Sequence, residues 1–358
     1  MKFIEAQILF LGPNFKNPKG GVASVLSEYN KIYPKAYFIA STNLKNLLTK
    51  IFGTIWGIFS FIFILSTRSQ IKIIHIHGSS YNSFYRKFIF FKISKLFNKT
   101  VVYHIHGGKY HLFYKNAKFI TRQMIKNFIN HSDCIICLSE SWRKVFELHF
   151  TPNKIVTIPN IIAKPKPEIN KQSKNQHIKK FLFLGSINRN KGIWLLLDVL
   201  RAHKSEVKNK AVFYLGGHGE IGKLKNLIQE YDLNDVVKFI GWVSGEYKHK
   251  QLANSDIYIL PSYYEGLPIS ILEAMSYSLP ILSTTVGGIP EIVTQANGVL
   301  FEPGNKEELW RAIKFLINSS NIKLVKMGEV SFQKVQPHMP SAVLNNLNNV
   351  YHILLDKT

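Results

Sequence analysis

Short apolar runs alternate with longer stretches of helical periodicity along almost the whole chain, the pattern of β-α units wound around parallel sheets. Strands covered on both faces read as near-continuous apolar runs instead of alternating ones. On this basis the first half predicts strands at 7–11, 72–76, 100–105, 134–138 and 155–158. The second half predicts strands at 180–184, 211–215, 236–240, 257–260 and 280–283. Between the two sets, residues 163–179 are polar, rich in Lys, Asn and Pro, and free of apolar periodicity, as in an interdomain linker. A chain of 358 residues also exceeds what one hydrophobic core usually organises. The expected class is therefore α/β, with Rossmann-like domains at 1–165 and 180–340 joined by a linker at 166–179. A helix near 341–358 is expected to pack back on the first domain.

Composition narrows the partner without naming it. A content of 46% hydrophobic and 19% charged residues is that of a globular chain, not a disordered one. Lys and Arg number 46 against 22 Asp and Glu, a formal charge of +24, which suits nucleic acid, lipid headgroups or phosphate. The basic residues are scattered through every segment, and no nucleic-acid-binding module is recognisable, so nucleic acid is not the expected partner. At the N-terminus Glu5 falls inside what would be the apolar core of a signal peptide, and the stretch reads as a first strand of a cytoplasmic protein.

The uncharged run 51–65, as a helix rising about 1.5 Å per residue, falls short of a bilayer core of about 30 Å. It reads either as a helix buried against the sheet or as one dipping into a membrane surface. Lys45, Lys50, Arg68 and Lys72 flank it, and 88–97 mixes aromatics with Lys92 and Lys95, which suits peripheral contact with an anionic membrane surface. Cys134 and Cys137 sit in an apolar strand. Residues three apart on a strand point to opposite faces, so core packing is expected and not a redox or zinc pair.

The chemistry concentrates after the strand ending at Leu260, in the segment Pro261-Ser262-Tyr263-Tyr264-Glu265-Gly266-Leu267-Pro268. Pro268 is expected in the first turn of the following helix, whose start, with amides near Gly266 and Leu267, favours an anion such as a diphosphate. Glu265 and Glu273 lie eight positions apart, one in the loop and one on the helix. They suit hydrogen bonds to hydroxyls at two ends of a polar ligand better than a tight metal pair. In the first half, Ile74-His75-Ile76-His77-Gly78 recurs 29 residues later as Tyr103-His104-Ile105-His106-Gly107, each Gly marking the carboxyl end of a strand. In open α/β sheets ligands bind at that edge.

These residues resemble the family 4 retaining glycosyltransferases, in which two Rossmann-like domains of the GT-B fold face a central cleft. The resemblance covers nearly the whole chain, through Glu265, Glu273, the intact EGLP between them and GGIPEI at 287–292. It implies a nucleotide-sugar donor, UDP-linked by family habit, bound by the C-terminal domain. It implies a saccharide or lipid-linked saccharide acceptor, of bacterial surface-polysaccharide type, on the N-terminal domain. Glu265 is then associated with the donor sugar, Glu273 with the ribose, and Gly266 and Leu267 with sugar and phosphate. The glycine-rich loop after the first strand matches Lys19-Gly20-Gly21-Val22, making Gly20 and Gly21 donor-binding residues, and His106 matches the histidine near the reacting sugar. In the phosphate-binding loop Lys191 matches, whereas the arginine position is Ser186; Arg189 is the nearest replacement. No cofactor and no metal are implied.

Two other readings compete. Gly217-His218-Gly219-Glu220-Ile221-Gly222 satisfies a dinucleotide fingerprint, but the next strand ends in Gly241-Trp242 and not in the acidic residue that would hold a ribose. His75, His77, His104, His106 and His111 suggest zinc, but no cysteine or carboxylate completes a ligand set.

Overall fold

The computed structural model describes residues 2–16, 20–41, 47–107, 110–165 and 178–356. Lys19, Lys45 and most of the expected linker lie outside them. The chain divides into two compact units, one of residues 1–163 with 337–358 and one of residues 164–336.

In the first unit six parallel strands stand in the order β2-β1-β3-β4-β5-β6. They are β1 (Ile8–Gly12), β2 (Tyr37–Ala40), β3 (Ile73–Gly78), β4 (Thr100–Ile105), β5 (Cys134–Cys137) and β6 (Ile155–Thr157). The second unit repeats the plan in the order β12-β11-β10-β7-β8-β9. Its strands are β7 (Lys179–Leu184), β8 (Ala211–Gly216), β9 (Val237–Phe239), β10 (Ile257–Leu260), β11 (Ile281–Thr284) and β12 (Gly298–Phe301). Every pairing is parallel. The central strands carry the apolar runs: all residues of β1, β3, β4, β5, β10 and β11 are buried.

Two strands, β2 and β12, are absent from the sequence expectation. Both are edge strands of four residues; their sequences, YFIA and GVLF, are apolar, but some of their positions are partly exposed. Cys134 and Cys137 are free and buried, and Cys137 alone of the two joins the core cluster on its face of the sheet, as the strand period requires. Burial pushes both thiols up to about 12.

The apolar run at 51–65 is part of a longer helix, Leu47–Thr67, one face of which packs on the sheet. Among the described residues no helix is long and apolar enough to cross a membrane. The C-terminal helix Pro340–Leu355 belongs to the first unit and packs on the Gly21–Ile32 helix. Tyr33 Oη donates to Asn348 Oδ1 at 2.9 Å there.

Aromatic packing holds the helical layer to β4. Phe128 is fully buried, stacked on Tyr103 at 4.1 Å and on Phe91 at 4.6 Å between ring centroids. Phe128→Ala is expected to destabilise the first unit by about 3–5 kcal/mol, read from its urea unfolding transition, with the second unit's transition unmoved.

Candidate active site

In the second unit β11, β10, β7 and β8 are adjacent, so the loops leaving their carboxyl ends share one edge. The loop after β7 turns at Asn188, whose Oδ1 accepts the Lys191 N–H at 3.0 Å and caps a short 3-10 turn, Arg189–Lys191. Gly192 follows at φ 71° and starts the Ile193–Ala202 helix. A Cβ on Gly192 would lie 1.8 Å from the Pro261 carbonyl oxygen, so this turn closes on the β10 loop only because the residue is glycine. The Tyr263 N–H donates to the Asn190 carbonyl at 2.9 Å across the same contact. Lys191 Nζ is thereby brought onto Glu265 Oε1, an ion pair with both side chains largely shielded, 23% and 11% exposed.

The EGLP loop rests in turn on the loop after β11. The Gly288 N–H donates to the Gly266 carbonyl at 2.7 Å, and a Cβ on Gly287, at φ 60°, would lie 2.3 Å from the Glu265 carbonyl oxygen. Leu267 is buried and Gly266 half-buried. Pro268 is the residue before the Ile269–Ser276 helix and not a member of its first turn, which leaves that helix start with no side-chain cap bond. Glu273 lies one turn further in, half-buried, and receives Lys248 Nζ at 2.6 Å from the helix Gly245–Asn254. Lys248 carries no sequence signal: it is one of many lysines, 25 residues away along the chain. Arg189 is exposed and makes no ion pair among the described residues, while Ser186 is half-buried.

The Gly217-His218-Gly219 segment is consumed by the same packing. Cβ atoms on Gly217 and Gly219 would lie 1.7 Å from the Gly185 oxygen and 2.4 Å from the Ile187 oxygen. The Ile187 N–H donates to the His218 carbonyl at 2.7 Å, and the Glu220 N–H to the Ile187 carbonyl at 2.8 Å. These glycines admit protein backbone where a dinucleotide fingerprint would admit a pyrophosphate.

In the first unit, Gly20 caps the Gly21–Ile32 helix at φ 126°, and among the described residues nothing stands within 4 Å of where its Cβ would be and no side chain caps the helix start. His106 follows β4. Its Nδ1 lies 3.2 Å from Asn160 Oδ1, an acceptor, so Nδ1 carries the proton and Nε2 accepts from His77 Nδ1 at 2.9 Å. Below this pair His75 uses both nitrogens, one with Tyr351 Oη at 2.5 Å and one with His104 Nδ1 at 3.3 Å. The ring nitrogens of His75, His77 and His104 lie within 4.8 Å of one another, a spacing that invites a metal. The rings, however, form a stack: His75 and His77 are 4.4 Å apart with planes at 4°, so their in-plane lone pairs run side by side and do not converge. His111 is exposed and packs against Trp142.

Two family models divide the chain between them. The model described as glycosyl transferases group 1 matches residues 165–333, and the model of glycosyltransferase family 4 matches residues 35–163. The chain belongs to the family 4 glycosyltransferases. The structure of sucrose-phosphate synthase from Thermosynechococcus elongatus superposes with a TM-score of 0.80 at 17% identity, over 98% of this chain and 100% of that chain. Anabaena HepE in complex with UDP gives 0.75 at 18% identity over 96% and 99%. WaaG, a glycosyltransferase involved in lipopolysaccharide biosynthesis, gives 0.66 at 13% identity over 92% and 95%. These likenesses show the GT-B fold. An uncharacterized glycosyltransferase of Haemophilus influenzae is 32% identical over 54% of each chain. The phosphatidylinositol N-acetylglucosaminyltransferase GPI3 subunit of Saccharomyces cerevisiae is 24% identical over 75% of this chain and 60% of its own. The chain spans about half the length of the curated relatives it matches first.

Burial holds His75, His77 and His104 well below the usual imidazole range, and His106 falls to about 4 against the weaker opposing pull of Asn160. The unfolded chain binds protons at these sites from about pH 6.5 downward, and the folded unit does not, so stability is full above that pH and is lost as pH falls toward 4. Calorimetry across this window is expected to show the first unit's midpoint dropping with acid, with a shallower slope in His104→Asn. A midpoint independent of pH would contradict a buried neutral stack.

Proposed function

We propose that this glycosyltransferase is a retaining, metal-independent enzyme that moves a sugar from a UDP-sugar to a saccharide or lipid-linked saccharide acceptor in bacterial surface-polysaccharide synthesis. It acts in the cytoplasm, in peripheral contact with the inner face of the membrane. The observation that carries the reading is the shielded Lys191–Glu265 pair on the shared edge of β7 and β10. Without donor, each group is the other's counter-ion. An arriving diphosphate competes for Lys191, with Arg189 in the same turn and without an ion pair among the described residues, and the freed Glu265 carboxylate accepts hydroxyls of the sugar.

Lys191, Arg189 and the uncapped helix start after Gly266 stabilise the charge that develops on the departing diphosphate, the work a metal would otherwise do. Glu273, oriented by Lys248, accepts the ribose hydroxyls. In the N-terminal unit, the helix start at Gly20 and Gly21 and the strand end at His106 are assigned to the donor phosphate and the reacting sugar. His106 is engaged on both nitrogens, and the Nε2 atoms of His77 and His104, without partners among the described residues, are buried, so the leaving phosphate takes the acceptor proton on the same face of the sugar. HepE has been crystallised with UDP and with UDP-glucose, which supports the choice of nucleotide. The names of WaaG and of the phosphatidylinositol enzyme support a glycolipid-type acceptor.

Calorimetric titration with UDP, GDP and ADP, followed by transfer assays with the corresponding sugars and a chelator, tests the reading. Glu273→Ala is expected to weaken UDP binding about tenfold to a hundredfold, the value of hydrogen bonds to a charged group. Lys191→Ala is expected to lower kcat about a hundredfold to a thousandfold, as loss of a transition-state donor does elsewhere. Wild-type behaviour in Glu273→Ala removes the ribose assignment, and failure of every nucleotide to bind removes the donor reading.

A further inference from the structure

From Tyr29 to Ser132 the chain carries sixteen Lys or Arg and no Asp or Glu. Spread evenly, the chain's 22 acidic residues would place about six there, so compositional bias does not account for the gap. This acid-free segment builds one whole layer of the first unit: the helices Leu47–Thr67, Asn82–Leu96 and Phe119–Asn130. The middle helix contacts both of the others. Inward, Phe61 meets Phe90 and Phe91 stacks on Phe128.

Outward, the same layer is apolar where it ought to be wet. Phe52, Trp56, Phe59 and Phe63 recur at helical spacing on one face and are 66–75% exposed. Tyr85 and Ile89 on the second helix are exposed as well, and Phe119 and Ile120 open the third at 75% and 74% exposure. Exposed apolar surface on this scale marks an interaction site. Its rim is cationic: Lys92, Lys118, Arg122 and Lys126 are all exposed. Crossover helices run antiparallel to the parallel strands they connect, so the N-terminal halves of these helices, which hold Phe52, Tyr85, Phe119 and Ile120, lie toward the carboxyl edge of the sheet. That is the edge that carries Gly20 and His106.

We infer that this three-helix face, centred on Phe52, Trp56, Phe59 and Phe63, is a docking surface for an anionic lipid bilayer. The aromatics enter the interface, the lysines and arginines meet the headgroups, and the acceptor edge of the sheet is held beside the membrane plane. A protein partner for so basic a rim would have to be strongly acidic. A second copy of this chain would set like charges against each other, since the rim has no carboxylate within the layer. The surface locates the membrane contact of the proposed function, but its test uses no sugar nucleotide and stands apart from catalysis.

The full chain is sedimented with vesicles of phosphatidylcholine, with and without phosphatidylglycerol, at rising salt. Binding is expected to need the anionic lipid and to weaken with salt. Trp56→Glu with Phe59→Glu is expected to lower the bound fraction at least about tenfold while UDP binding and the circular dichroism spectrum are kept. Lys118→Glu with Arg122→Glu, which leaves the aromatics in place, is expected to weaken binding to the anionic vesicles alone. Three results overturn the inference: no vesicle binding by the wild type, equal binding by the aromatic variant, or a dimer in sedimentation velocity that the aromatic variant dissolves without any vesicle binding. Vesicle binding with no response to any sugar nucleotide would support this surface and remove the donor reading.

Discussion

The donor-side edge depends on backbone packed against backbone. The β7 loop closes on the β10 loop at Gly192, the β8 loop closes on the β7 loop at Gly217 and Gly219, and the β11 loop closes on the β10 loop at Gly287. At each of these four positions a Cβ would stand 2.4 Å or less from a carbonyl oxygen. A methyl group at any one of them would push two loops apart, and residues on separate loops would lose their register. Lys191 and Glu265 meet because the turn at Gly192 is tight against Pro261, and Glu265 holds its height because Gly287 lies beneath it. The charged groups are therefore positioned by residues that have no side chains.

This explains what could be read from the chain and what could not. The central strands were legible because burial on both faces leaves an uninterrupted apolar run, as in β1 and β10. The edge strands β2 and β12 were missed although YFIA and GVLF are apolar like the equally short β10, and their partial exposure at a sheet edge leaves no separate mark on so short a run. EGLP and GGIP were visible as separate motifs, but the contact of Gly287 with the Glu265 carbonyl is tertiary, and spacing does not report it. The Gly217 to Gly222 pattern misleads for a related reason. Glycine signals a close approach without saying whether the visitor is a phosphate or another stretch of the same chain, and here it is Gly185 and Ile187.

The carboxylates follow the same division. The setting of Glu273 in an apolar helix gave warning of partial burial, which the structure shows. Its partner Lys248 lies on a helix that leaves no mark on that setting, and only the packing of Gly245–Asn254 supplies it. A half-buried carboxylate without a cation would be costly to hold, and the pairing gives Glu273 a counter-ion and a fixed direction. Arg189 is the reverse case: it has the charge expected of the phosphate loop, and no partner among the described residues holds it down.

The histidines of the first unit bear on how a proton would leave the acceptor in the proposed reaction. A strand-end imidazole beside a reacting sugar invites the role of general base. His106 is engaged on both nitrogens, by Asn160 and by His77, and burial takes its pKa to about 4. Presenting Nε2 to an acceptor would require breaking the bond to His77, whose own Nε2 already lacks a partner. So low a pKa would also make the freed nitrogen a weak base near neutral pH. The stack therefore suits a rigid, uncharged wall better than a relay. In the proposed reaction, with His106 so engaged, the departing diphosphate, which gains negative charge as the glycosidic bond opens, is the group left to take the proton.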